Sequence, residues 1–212
     1  MGENVALTEL FGKPLDGRRT LVVAELGTGH ADPHPGRRPG RARALVVKIA
    51  ALGVDAAKFQ LFVSGEQLFC PLPGDDKRWK RWDDTIMTES EWSEVVETGK
   101  ELGLPVFFSV FQRAGVELAR RIGNPVWKVA SRAAKTFPYD AVPGPFIVSD
   151  GFGLPEKLPE NTLRLQCCPE YPSPLGKSLW YGQTEGLSDH SGTAFPAIHA
   201  IIAGAKLVEL HY

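Results

Sequence analysis

Eight short apolar runs are spaced along this chain of 212 residues, and nearly every one of them closes on polar residues. The runs are Leu21 to Ala24, Ala56 to Phe62, Val106 to Val110, Val126 to Ala130, Phe146 to Ser149, Leu163 to Cys167, Gly186 to Ser188 and Leu207 to Leu210. Amphipathic stretches separate several of them. Leu45, Ile49 and Leu52 recur at helical spacing, and Gly53 supplies a stop. Thr88 with Glu91 has the capping-box spacing, ahead of a stripe of Trp92, Val95, Val96 and Leu102. Val116 to Ile122 and Phe195 to Ala203 read as two further helices, and residues 30–40 and 70–87 as loops. Strands that alternate with helices form parallel βαβ units, and eight of them predict a closed barrel. The links after Ser131, Ser149 and Cys167 are short and rich in proline and glycine, so the barrel should be a shortened one with reduced helices in its second half. Residues 1–212 read as one barrel domain, with residues 1–19 as an N-terminal extension.

A strand buried on both faces should be apolar throughout. Here Glu25 closes the first run, Lys58 and Gln60 fall in the second, Ser109 in the third, and Lys128 with Ser131 ends the fourth. Ser149-Asp150, Gln166-Cys167, Ser188-Asp189-His190, and Glu209 with His211 end the other four. In a barrel these ends meet at the rim that carries active sites. Polar residues also mark where any strand becomes a loop, and the lysines decide between the two readings. Lys58 and Lys128 lie inside apolar sequence, where an unpaired ammonium is costly. Two lysines aimed into one cavity call for an anion, phosphate or carboxylate.

His190 and His211, with Asp189 and Glu209 beside them, leave two readings open: a metal-binding pair, or hydrogen-bonded core histidines. Two imidazoles completed by water and substrate oxygens would suit Mn2+, Fe2+ or Zn2+. His30 reads as a residue facing the same rim, and His199 as structural. The arginines of HPGRRPGRAR (34–43) read as a solvated loop, and Cys167 as a small core residue.

Composition narrows the partners. Lys plus Arg is 24 against 25 Asp plus Glu, a net charge of −1, which excludes the basic lean of a dedicated nucleic-acid or membrane-surface binder. The aromatic-basic WKRW (79–82) is flanked by Asp75-Asp76 and Asp83-Asp84, an unfavourable setting for phosphate backbones. No apolar run approaches the ~20 residues of a membrane span. The first residues lack the pattern of a secretory signal, and three cysteines cannot form a disulfide framework, so a cytoplasmic location is expected.

Six short motifs, in order, resemble the sialic acid (N-acetylneuraminate) synthase family: AELGTGH (24–30), DAAKFQ (55–60), WKVAS (127–131), QCCPEYPSP (166–174), GLSDHSG (186–192) and AGAKLVELHY (203–212). The resemblance implies a TIM (β/α)8 barrel that condenses phosphoenolpyruvate with an amino-sugar aldehyde, giving a nonulosonic acid and phosphate. It further implies a divalent metal, Mn2+ or Mg2+. By the same resemblance His190 and His211 are the metal ligands, and His190 with Glu25 serves the catalytic step. Lys58, Gln60, Ser109, Lys128, Ser131, Tyr171 and Ser188 are then the substrate contacts, Tyr171 on the sugar. The chain departs from the family pattern at Gly29, Val110, Ala133, Asp150 and Cys168-Pro169, and the family's Thr-Leu-Asp-Arg tail, last helix and small antifreeze-like domain are not in the sequence. These departures fall on the acceptor side, so the phosphoenolpyruvate and metal half should be the better preserved. A homo-oligomer is expected, because apolar surface around the last strand would otherwise face water. Two other classes stay open: a degenerate barrel acting as a binding or assembly subunit, and a lyase or isomerase reusing the metal rim.

Overall fold

The computed structural model describes residues 7–63 and 67–212. Eight strands form a closed barrel, numbered here β1 (Leu21–Gly27), β2 (Ala56–Leu61), β3 (Val106–Val110), β4 (Trp127–Val129), β5 (Phe146–Ser149), β6 (Thr162–Cys167), β7 (Gly186–Asp189) and β8 (Leu207–His211). Their spatial order is β8-β1-β2-β3-β4-β5-β6-β7. The pairs β2–β3, β4–β5, β5–β6, β6–β7 and β7–β8 run parallel. The expected shortened barrel is therefore what the chain builds. A two-residue antiparallel ladder, Glu9–Leu10 against Lys13–Pro14, precedes β1. The chain divides into two compact units, a mid-chain unit (Ala24–Pro125) and a terminal unit, the segment ending at Val23 together with Val126–Tyr212.

The mid-chain unit carries α1 (Arg38–Ala50), α2 (Trp79–Asp83), α3 (Glu89–Glu101) and α4 (Arg113–Arg121). The capping box at α3 is formed as the spacing predicts: Thr88 Oγ1 accepts from Glu91 N at 3.3 Å, and Glu91 Oε2 accepts from Thr88 N at 2.7 Å. Its buried face is Trp92, Val95, Val96 and Gly99. A Cβ at Gly99 would sit 2.5 Å from the Leu104 carbonyl oxygen, so only glycine lets α3 close on the turn into β3. Trp92 is fully buried and packs edge-on against Phe59 and Phe108.

Three local expectations need correction in this unit. Helix α1 begins at Arg38, inside the expected loop, and buries Arg38, Pro39, Ala42, Val46 and Ile49, whereas Leu52 lies beyond its end and is exposed. The segment 70–87 is not wholly irregular, since it contains a 3-10 turn (Asp75–Lys77) and α2. Arg38 is not solvated: its guanidinium donates to the Asp32 and Ile86 carbonyls, both at 2.8 Å, and closes the loop onto the chain ahead of α3. A buried arginine with carbonyl partners carries its hydrogen bonds inward, which the arginine-rich sequence does not reveal.

In the terminal unit the connections are short, as expected. Two 3-10 turns (Ser131–Ala133 and Tyr139–Ala141) follow β4, residues 150–161 contain no helix, and a single turn, α5 (Leu175–Ser178), follows β6. Only the link before β8 holds a longer helix, α6 (Phe195–Ile202). Strands β4 to β8 are consecutive and parallel, so their C-terminal ends share one edge of this unit. Ile147, Leu163 and Leu165 are buried in these strands, and Leu187 and Val208 pack with Trp180, Ala200 and Ala205.

Candidate active site

Side chains two residues apart on a strand share a face. Ser188 and His190 therefore rise on one side of the chain leaving β7, and Glu209 and His211 on one side of β8. The register sets Ser188 opposite Glu209. Ser188 Oγ donates to Glu209 Oε1 at 2.9 Å, and Lys128 Nζ lies 3.5 Å from the same oxygen. Lys128 comes from β4 and donates to Ser149 Oγ at 2.8 Å. That serine sits two residues past Ile147, the partner of Lys128 in register. All four side chains are buried, and an ammonium in such a place is tolerable because a carboxylate and a hydroxyl meet it.

The imidazoles of His190 and His211 have centroids 5.3 Å apart at an interplanar angle of 68°. Burial, reinforced by His211, pushes the His190 pKa down to about 4 against the pull of Glu209, so the ring is neutral near pH 7. Cys167 Sγ lies 3.8 Å from His190 Nε2 and 3.9 Å from Nδ1. Burial raises that thiol to about 11, so it stays protonated and is no nucleophile, and the Ser131 side chain hydrogen-bonds to it. The Cys167 amide donates to Asp150 Oδ1 at 2.9 Å, and burial holds the Asp150 carboxyl above its ordinary range. Tyr171 stacks on His190 with its hydroxyl 2.7 Å from Nε2. Among the described residues no group of three or more His, Cys, Asp or Glu side chains is arranged to hold a metal ion. An imidazole pair fits half of a divalent-metal site, with oxygen donors from water and substrate completing it.

The mid-chain unit holds a second cluster. Lys58 Nζ forms a buried ion pair with Glu25 Oε2, and the Gly27 amide donates to the other carboxylate oxygen at 2.5 Å. Gly27 has φ of +50°, a conformation that favours glycine. Gln60 lies opposite Ser109 in register, and the buried Ser109 hydroxyl has no hydrogen-bond partner among the described residues.

The structure thus brings Lys128, Ser131, Tyr171, Ser188, His190 and His211 together in the terminal unit, and Glu25, Lys58, Gln60 and Ser109 in the mid-chain unit. His30 is a correction. It does not face a rim but is fully buried, edge-on to Phe59 and Trp92, with Nε2 bonded to the Thr85 carbonyl at 3.0 Å. Glu209 was visible in the sequence only as a neighbour of His211, yet it joins Ser188 to Lys128. Its signal was a carboxylate inside the apolar run LVELH.

Fold and site define a (β/α)8-type barrel whose strand ends carry buried ammonium, carboxylate and imidazole groups. Residues 45–212 match the model of the NeuB family, and the chain belongs to that family. It is 25% identical over 232 aligned positions to a pseudaminic acid synthase of Campylobacter jejuni, covering 92% of this chain and 65% of that protein. A pseudaminic acid synthase of Helicobacter pylori is 26% identical over 156 positions, 59% of this chain and 44% of the relative. The chain therefore spans at most about two thirds of these relatives. Among solved structures, an N-acetylneuraminic acid synthetase from Leptospira borgpetersenii superposes with a TM-score of 0.72 at 19% identity, covering 92% of this chain and 74% of that one. A spore coat polysaccharide biosynthesis protein from Bacillus subtilis follows at 0.67 and 21%, covering 91% and 59%. Both likenesses bear on the fold.

Proposed function

We propose that this chain condenses phosphoenolpyruvate with a sugar-like aldehyde to give a 2-keto-3-deoxy sugar acid and phosphate. The observation that carries the reading is the buried Lys128, held by Ser149 and facing Glu209, in the same unit as the paired imidazoles of His190 and His211. Membership of the NeuB family supports it, as do relatives named pseudaminic acid synthase, which favour a sugar acid as product. Lys128, Ser149 and Ser188 offer one cation and two hydroxyls to an anionic group of the enol phosphate. Lys58 offers a further cation, and Glu25, paired with it, is assigned to proton transfer. Ser109 and Ser131 supply hydroxyls, Gln60 an amide, and the exposed Tyr171 a face for the sugar. His190 and His211 would hold a divalent metal, Mn2+ or Mg2+, which would supply polarisation of the aldehyde carbonyl. The enol carbon bonds to the aldehyde carbon, water adds at the carbon bearing phosphate, and phosphate leaves with its bridging oxygen. A preorganised cationic setting stabilises the leaving group.

The test is phosphate release from phosphoenolpyruvate across a panel of amino-sugar aldehydes with Mn2+. Release is expected only when an aldehyde is present. Lys128→Ala should weaken phosphoenolpyruvate binding by about 2 kcal/mol, the loss of a charge-assisted contact. Unchanged affinity in a folded variant removes Lys128 from the site, and pyruvate formed without aldehyde replaces condensation by lyase chemistry.

A further inference from the structure

The end of β5 carries the serine that holds Lys128, and the residue after it continues the ladder with its side chain. Ser149 pairs with Leu165 of β6, and the Asp150 amide donates to the Leu165 carbonyl at 3.1 Å. There β5 stops, and the Gly153 amide turns the chain back onto the Asp150 carbonyl. Strand β6 runs on to Cys167, whose buried amide needs an acceptor that the departing strand no longer supplies. Asp150 supplies it: Oδ1 accepts from Cys167 N at 2.9 Å. One residue thus holds β6 at two points, at Leu165 with its backbone and at Cys167 with its carboxylate.

We infer that Asp150 is a positioning residue: its carboxylate fixes the end of β5 so that the Ser149 hydroxyl stays on Lys128, and it ties that edge of the terminal unit to the edge carrying His190. The inference rests on the reading of Lys128 as a substrate contact. Ser149 is the last residue of its strand, and strand ends open first where nothing holds them. Its hydroxyl is the 2.8 Å acceptor of Lys128 Nζ, whereas Glu209 stands farther off at 3.5 Å. A shift at Ser149 therefore re-aims the ammonium. On the other side of the bridge, Cys167 Sγ takes the Ser131 hydrogen bond and lies 3.8 Å from His190 Nε2. The next residue transmits the same constraint, because a Cβ at Gly151 would sit 2.8 Å from the Cys167 carbonyl oxygen and 3.3 Å from Ser131 Cβ. Asp150 touches no reacting group; it acts through Ser149.

Nuclear magnetic resonance of protein labelled with nitrogen-15 at lysine tests this without turnover. Buried ammonium protons exchange with water slowly enough to be followed, Lys128→Ala assigns the Lys128 signal, and Lys58, paired with Glu25, is the internal control. In Asp150→Ala the Lys128 exchange should quicken roughly tenfold while that of Lys58 stays unchanged, and phosphoenolpyruvate binding by calorimetry should weaken by a similar factor. Asp150→Asn keeps an acceptor in place without the charge and should stay within about twofold of the parent. Asp150→Glu keeps the charge but displaces the acceptor, and should fall between the parent and Asp150→Ala. The Asn and Glu variants carry the test if Asp150→Ala does not fold. An unchanged Lys128 signal in the Ala or Glu variant overturns the proposal, as does equal quickening of both lysines, which is general loosening. Tight Glu with loose Asn overturns it too, because charge and not position then matters. The expected Lys128 response in a protein that binds no phosphoenolpyruvate removes the substrate reading and leaves the hold of Asp150 on Ser149 standing.

Discussion

Lys58 in the mid-chain unit and Lys128 in the terminal unit are buried to the same degree, but their surroundings differ. Lys58 is locked to Glu25, whose second oxygen is closed by the Gly27 amide, in a unit with three helices of nine residues or more. Lys128 donates to a serine and stands 3.5 Å from a carboxylate that it shares with Ser188, in a unit of short links whose imidazoles lie near water. The histidines differ in the same way. His30 is sealed by Phe59 and Trp92, whereas His190 is covered by one exposed tyrosine. Long helices make the first unit a dry packing problem. Loops make the second a set of polar groups that a substrate or ion can rearrange.

The strongest way to break this contrast is Lys58→Ala. Leaving Glu25 buried without its cation should cost about 3–5 kcal/mol of stability, and replacing both partners by well-packed apolar residues should restore most of it. Urea denaturation measures both. A loss below about 1 kcal/mol for the single variant would mean the pair is as loosely held as Lys128, and the contrast fails.

Acidification sharpens it next. Burial lowers the His30 pKa from 6.5 to about 4, with the Thr85 carbonyl opposing the shift. Between those values the unfolded chain takes up a proton that the folded ring refuses. Stability should therefore fall as the pH drops from about 6.5 and level off below about 4, by on the order of 3 kcal/mol in total. His190 acts in the same direction in metal-free protein, with the same value. His30→Gln should flatten its share of the curve, measured by thermal unfolding across that range, and an unchanged curve would contradict the burial argument.

Smallest is Thr88→Ala, which removes the N-cap of α3 and should cost about 1 kcal/mol. Because α3 belongs to the mid-chain unit, amide exchange should quicken along residues 89–101 and stay unchanged around β7 and β8. Equal quickening in both would show that the two units open together.

Much of the barrel was legible because strand and helix periods are local: the run ends, the capping box and the short second-half links all follow from neighbouring residues. The site was half legible. Polar residues breaking apolar runs mark Lys58, Lys128 and the two histidines, but not which group holds which. Glu209 meets Lys128 only through strand register, a relation no single segment carries. His30 misled for the converse reason, since the ring that buries it, Trp92, is 62 positions away in sequence. Arg38 misled likewise, because its carbonyl acceptor at Ile86 is 48 positions away.

The two-residue alternation that lifts Glu209 and His211 to the same side of β8 ties their fates. A single residue inserted or deleted within β8 ahead of Glu209 would exchange them for Val208 and Leu210, taking away the lysine's counterion and one imidazole in the same stroke. Descendants of this chain can shorten or decorate their loops freely, but the last strand tolerates length change only in steps of two.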